Sequence, residues 1–183
     1  MKAFLILLAS ITIYSCSPSF KVNSYLTQDT KVDELRTYDW SPLQEGVIPG
    51  NPLHDNKTNR NMIKEAIEKE LKRKGYVQDS LKPDMYVEYF VSMENKRSVI
   101  TAPLPYIDDF DYEYRVKVEQ LKKGSLLIHL ENEEQNKTIW AGSAEAILEA
   151  VPTDTQRKIN MAVKRIMSSL PAKYEHTPYL KNY

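Results

Sequence analysis

The sequence predicts an α+β fold, a two-layer sandwich of about five mostly antiparallel strands with two helices on one face. Three observations predict it. Several segments alternate apolar and polar residues at the period of a half-buried strand. Two others repeat apolar residues at helical spacing with charges opposite, so each helix has one face to bury. The chain has 183 residues, 42% hydrophobic and 27% charged, which is the size and make-up of one globular domain rather than a disordered one.

The first fifteen residues stand outside that domain. Lys2 is followed by an apolar run over 3–14. The run is shorter than the ~20 residues that span a bilayer. Its layout is that of a secretory signal: a charged start, an apolar stretch and a small residue before a processing point. At that point sits the one cysteine of the chain. Ile13-Tyr14-Ser15-Cys16 resembles the bacterial lipobox, with Ile13 and Ser15 at its aliphatic and small positions. The resemblance implies that residues 1–15 are removed and that Cys16 opens the mature chain. Its thiol then carries diacylglycerol, and its amine an acyl group such as palmitate. Each buried methylene contributes ~0.8 kcal/mol, so two or three acyl chains hold a protein on a membrane without a transmembrane helix. Ser17 after the cysteine implies an outer-membrane destination, facing the periplasm. Residues 16–21 are the tether.

The elements of the domain, 22–171, follow in order. Residues 22–26 and 36–40 read as strands; in the second, Tyr38 and Trp40 share a face. Asp33-Glu34-Leu35 makes a turn between them, and Ser41-Pro42 ends the second strand. Residues 44–53, with Gly46, Pro49, Gly50 and Pro52, form a loop. A helix spans 56–74. Met62, Ile63, Ala66, Ile67 and Leu71 line one side, and Gly75 supplies a left-handed cap. Residues 84–93 form a strand with Met85, Val87, Tyr89 and Val91 on one face. Residues 98–111 read as a loop because of Pro103, Pro105 and Asp108-Asp109. Residues 112–119 alternate again, with a fully charged second face. Gly124 is expected to open a hairpin whose arms are 125–130 and 138–148, and Gly142 to mark a bulge. A second helix runs over 154–170, with Thr153 and Gln156 at capping-box spacing and Pro171 as its stop. Residues 172–183 are a polar tail.

In combination, several of these residues resemble the DUF4136 family of bacterial lipoproteins. They are Thr37-Tyr38-Asp39-Trp40, Asn51-Pro52-Leu53, Lys74-Gly75-Tyr76, Pro83-Asp84, Gly124-Ser125-Leu126-Leu127-Ile128 and Ile139-Trp140-Ala141-Gly142. Where members often carry a Gly- and aromatic-rich loop, this chain has the acidic and aromatic stretch 106–114. The resemblance implies an envelope lipoprotein of unknown role and brings no catalytic residues.

Composition narrows the function classes. With 25 basic and 25 acidic residues, the chain lacks the basic excess of a protein that binds nucleic acid electrostatically. One cysteine excludes an internal disulfide framework and a cysteine-based zinc site. His54, His129 and His176 lack ligand spacing. There is no nucleophile elbow and no phosphate-cradling glycine loop, so no catalytic residue, metal or cofactor is assigned. The candidate contact residues are Tyr106, Asp108, Asp109, Asp111, Tyr112 and Tyr114. Crowded loop carboxylates suit Ca²⁺, although the glycine and spacing of an EF-hand loop are missing; a solvated acidic loop is the alternative. The tyrosines suit an interface or a glycan. The expected function is a lipid-anchored, non-catalytic envelope module that binds a protein or glycan partner. The alternatives are a binding protein for a small apolar or glycan ligand, with a tyrosine-lined pocket beside loops 44–53 or 98–111, and an enzyme whose site is not visible in sequence.

Overall fold

In the computed structural model, which describes residues 20–27, 32–44, 46–47, 49–103, 114–132 and 137–173, the alternating segments pair into one sheet. Its strands are β1 (Lys21–Leu26), β2 (Thr37–Trp40), β3 (Val77–Gln78), β4 (Met85–Pro103), β5 (Tyr114–Asn132) and β6 (Lys137–Leu148). The spatial order is β1-β6-β5-β4-β2-β3. Only the short pairings of β2 with β3 and with β4 are parallel. Helix α1 (Lys57–Arg73) and helix α2 (Thr155–Ile166) cover one face. The α+β two-layer expectation holds, with the two-residue β3 as a sixth strand.

The core is the residue set that the periodicities select. Met85, Val87 and Tyr89 from β4 and Ile128 and Leu130 from β5 meet Ile67, Leu71, Val163 and Ile166 from the helices, all buried. The ends of α1 follow from local chemistry. Asn56 caps its start by accepting from the Asn59 N–H at 2.9 Å. At its end Gly75 takes φ +86°, Gly75 N donates to Lys72 O, and Tyr76 N donates to Leu71 O. That is a Schellman closure, which only glycine enters without strain.

Four local expectations are corrected. Residues 98–103 are not loop: they continue β4 and pair with the start of β5, from Ser98 with Glu119 to Pro103 with Tyr114. β6 reaches only to Lys122 of β5, so beyond it the two strands form a free ribbon. Among the described residues β4 has a single neighbour there, which is where a strand tolerates proline. Gly124 does not open a hairpin; it lies mid-strand between Met93 and Ala146. A Cβ there would stand 2.9 Å from Leu148 Cδ2. Gly142 marks no bulge. The register slips instead at Leu130/Glu131, where Ile139 is the extra residue on β6, so Ile139 and Trp140 both reach the core. Thr153 does not cap α2. Asp154 holds the N-cap position, in the left-handed region at φ 50° that Asp tolerates and without a side-chain cap bond, while the Thr153 N–H and hydroxyl donate to Glu149 at 3.1 and 2.9 Å.

One carboxylate ties the sheet's parallel pair together. Asp84 Oδ2 accepts from the N–H groups of Arg36 and Thr37 at 2.7 and 2.8 Å. Its own N–H donates to Thr37 O and Oγ1. Burial pushes this carboxyl up, but the hydrogen bonds from Arg36 and Thr37 outweigh burial and hold it below the usual carboxylate range. A depressed pKa contributes stability that is present above the unfolded value of ~4 and is lost as pH falls through the folded value. Asp84→Ala is therefore expected to lower stability by about 1–2 kcal/mol at pH 7, the site being solvent-exposed. The loss shrinks toward pH 3, which urea unfolding of both proteins across that range measures.

Candidate functional site

The helices do not cover the whole sheet face. Beyond their first turns, two rungs of β4, β5 and β6 lie open: Val91, Leu126 and Ala144 in one, Met93, Gly124 and Ala146 in the next. Each rung ends on small residues, which leave room above them. The result is a trough of about 660 Å³, within the range of small-molecule sites. His54, Asn59 and Ile63 at the start of α1 form one wall. Thr155, Lys158, Ile159 and Ala162 of α2 form the other, and Phe20 and Lys21 stand at one rim.

One charged pair borders the trough: Lys158 Nζ lies 2.5 Å from Glu149. Lys123 shares the helix-free face with His129, and its Nζ lies 2.7 Å from Glu94 and 3.3 Å from Glu145. Lys158, with the Thr153 hydroxyl and N–H, holds the exposed Glu149 carboxyl down at about 2. Burial, helped by Lys122, lowers the His54 pKa. The guanidinium of Arg165 stacks 5.3 Å above the Phe20 ring. Behind the wall, Asp55 and Arg60 fix the entry of α1. Arg60 Nε and Nη2 donate to the two Asp55 oxygens at 2.6 and 2.8 Å, both side chains buried. The Asp55 hydrogen bond outweighs burial and raises the Arg60 pKa further. An apolar floor with a charged pair at one edge can hold an amphiphile.

Of the residues that the sequence singles out, His54, Tyr114 and His129 are described. Cys16, Tyr106, Asp108, Asp109, Asp111, Tyr112 and His176 lie outside the described residues. Tyr114 opens β5 opposite Pro103, ten rungs from the Met93–Gly124 pair, or about 33 Å along the ribbon. His129 is on the helix-free face, its Nε2 3.1 Å from Glu88 Oε2 and its ring 5.3 Å from Phe90. His54 alone among the described histidines lines the trough. Among the described residues no three His, Cys, Asp or Glu side chains are grouped to hold a metal ion, and no helix is long and apolar enough to cross a membrane.

The trough is not the tyrosine-lined pocket expected from sequence. No tyrosine lines it, and it is bounded by helix starts instead of the two loops. Sequence reasoning missed it because attention fell on large polar side chains. The available signal was the period-two run of small residues Gly142, Ala144 and Ala146 facing Gly124.

A family model described as a domain of unknown function, DUF4136, matches residues 22–172. No curated protein matches the chain significantly. Among solved structures, a PDZ domain protein from Parabacteroides distasonis is 16% identical with a TM-score of 0.53; the match covers 85% of this chain and 37% of that one. The chain thus spans little more than a third of that protein's length. A DUF4136 family protein from Bacteroides thetaiotaomicron is 10% identical, TM-score 0.45, covering 81% of this chain and 96% of that one. A PelC dodecamer from Paraburkholderia phytofirmans is 7% identical, TM-score 0.46, covering 85% and 100%.

Proposed function

From the premise that the chain belongs to the DUF4136 family, we propose that it is a lipid-anchored module of the bacterial cell envelope that binds an apolar ligand and catalyses nothing. The observation that carries the binding role is the trough: Val91, Met93, Leu126 and Ile159 face open space while Lys158 pairs with Glu149 at its edge. An unfilled apolar surface of this kind on a folded domain marks a place where something is bound. The anchor rests on Ile13-Tyr14-Ser15-Cys16 at the end of the apolar leader. The domain is thereby held at the membrane of the envelope, with the outer membrane as the destination that Ser17 favours.

A second reading, docking of an envelope protein, is favoured by the ribbon. Val99 and Val118 face each other there across the strands and are 60% and 54% exposed. Exposed apolar pairs on a free ribbon are suited to a protein contact.

Two measurements test the first reading. Fractionation of cells carrying Cys16→Ala is expected to show loss of the acylated, processed form, and unchanged acylation would refute the anchor. Titration with the apolar fluorophore phenylnaphthylamine is expected to saturate. Leu126→Glu, which puts a charge on the trough floor, is expected to weaken that binding by about tenfold, the ~1.4 kcal/mol that a lost apolar contact of this size supplies. Equal affinity in both proteins would remove the trough as the site.

A further inference from the structure

We infer that the occupant of the trough is one acyl chain of a phospholipid drawn from the bilayer that anchors the protein. This rests on the reading of the trough as an apolar binding site at a lipid-anchored domain. Three observations choose this ligand over other apolar ones.

The first is lining chemistry. The floor is aliphatic, made of Val91, Met93, Leu126, Ala146 and Leu148, with Phe20 as the one ring at the rim. Sugars are held on aromatic faces, which the floor lacks. Unbranched side chains such as Met adapt to a flexible chain instead.

The second is the segregation of charge. One cation and one carboxylate stand at the edge, where Lys158 of α2 pairs with Glu149. An amphiphile with its tail inside and a zwitterionic headgroup at the rim matches both zones.

The third is position. Phe20 and Lys21 lie at the rim, and Cys16 is only four residues upstream. A chain of four residues reaches at most about 14 Å. A lipid anchor on Cys16 therefore keeps the rim near the headgroup layer. A tail entering the trough exchanges one apolar surrounding for another without a passage through water, so the hydrophobic cost of leaving the bilayer is small.

The test uses the mature, acylated protein in vesicles of phosphatidylethanolamine and phosphatidylglycerol. A trace of phosphatidylethanolamine carries a photoactivatable diazirine at the end of one acyl chain. After irradiation, adducts are mapped by mass spectrometry. Adducts are expected on Met93, Leu126, Leu148 or Ile159, and phenylnaphthylamine should compete them away. Ala146→Phe, which fills the floor, is expected to lose most of the labelling. Leu126→Glu serves as a second variant, with thermal melts showing which of the two stays folded.

Adducts confined to residues before Phe20, or to Val99 and Val118, would overturn the inference, because the lipid then touches only the surface. An unlabelled trough would overturn it as well; the acyl group on Cys16 itself is then the competing occupant. Phenylnaphthylamine binding without trough adducts defeats this inference alone. Loss of both defeats the trough as a binding site.

Discussion

Asp55→Ala is expected to lower the unfolding free energy by about 3–5 kcal/mol, the usual effect of removing one partner of a buried ion pair. Asp55 is 1% exposed and Arg60 is 6% exposed, and the two form a bidentate pair. Removal of the carboxylate takes the bidentate partner from a buried guanidinium. It has the Tyr89 ring at 5.6 Å, and the Tyr89 hydroxyl donates to the Arg60 carbonyl at 3.2 Å. Neither contact neutralises a charge. A domain of this kind has ~5–15 kcal/mol in total, so the variant keeps little reserve. The urea midpoint should fall by roughly 2 M at an ordinary m-value. Asp55→Asn keeps one acceptor and should lose less. Replacing both partners, Asp55→Leu with Arg60→Met, should return close to the parent stability, because the desolvation cost of both ions disappears with them. A single-variant loss under about 1 kcal/mol would mean that the pair behaves as a solvated one. The position also matters to the trough. The pair sets the first turn of α1, which presents His54, Asn59 and Ile63 to the wall. Weaker phenylnaphthylamine binding should therefore accompany the lost stability.

The parts of the fold that sequence shows well are those where local chemistry and burial agree. Helix α1 carries its own periodicity, an Asn cap and a glycine closure, and the structure follows all three. The β4/β5 ribbon did not show, because its signals are local while its cause is not. Pro103 and Gly124 are breakers by propensity. A strand with one neighbour admits the proline, and at Gly124 a Cβ would displace the side chain of Leu148, which comes from β6. The cap of α2 was misplaced by one residue for a similar reason. Thr153 has the right spacing for a capping box, but Glu149 engages both its N–H and its hydroxyl. The trough was the least legible feature. It is made by absent side chains at Gly124, Ala144 and Ala146, and whether a small residue leaves space depends on what packs above it. Tyr114, the one described residue of the acidic and tyrosine-rich stretch, pairs with Pro103 at the far end of the ribbon from it.

Trp140→Ala should be the second severe change, at about 3–5 kcal/mol. Trp140 is fully buried, and its indole N–H donates to the Ser169 hydroxyl at 3.3 Å, joining β6 to the turn after α2. At ~2–4 °C per kcal/mol for a chain of this length, the melting temperature falls by roughly 10 °C, measurable by circular dichroism. Trp140→Phe keeps part of the volume and should cost less. The ring also explains the glycine two residues on. A Cβ at Gly142 would lie 2.7 Å from Trp140 Cη2 and 2.7 Å from Ile166 Cγ2. Gly142→Ala therefore overpacks the same space from which Trp140→Phe withdraws, and alone it should cost about 1–3 kcal/mol. The double variant relieves one of the two clashes. Its loss should fall short of the sum of the single losses by 0.5 kcal/mol or more, the coupling expected of residues in contact. Strict additivity would mean that Ile166, not Trp140, forbids the side chain. In that case α2, which forms one wall of the trough, is held at its distance from the sheet by the glycine alone.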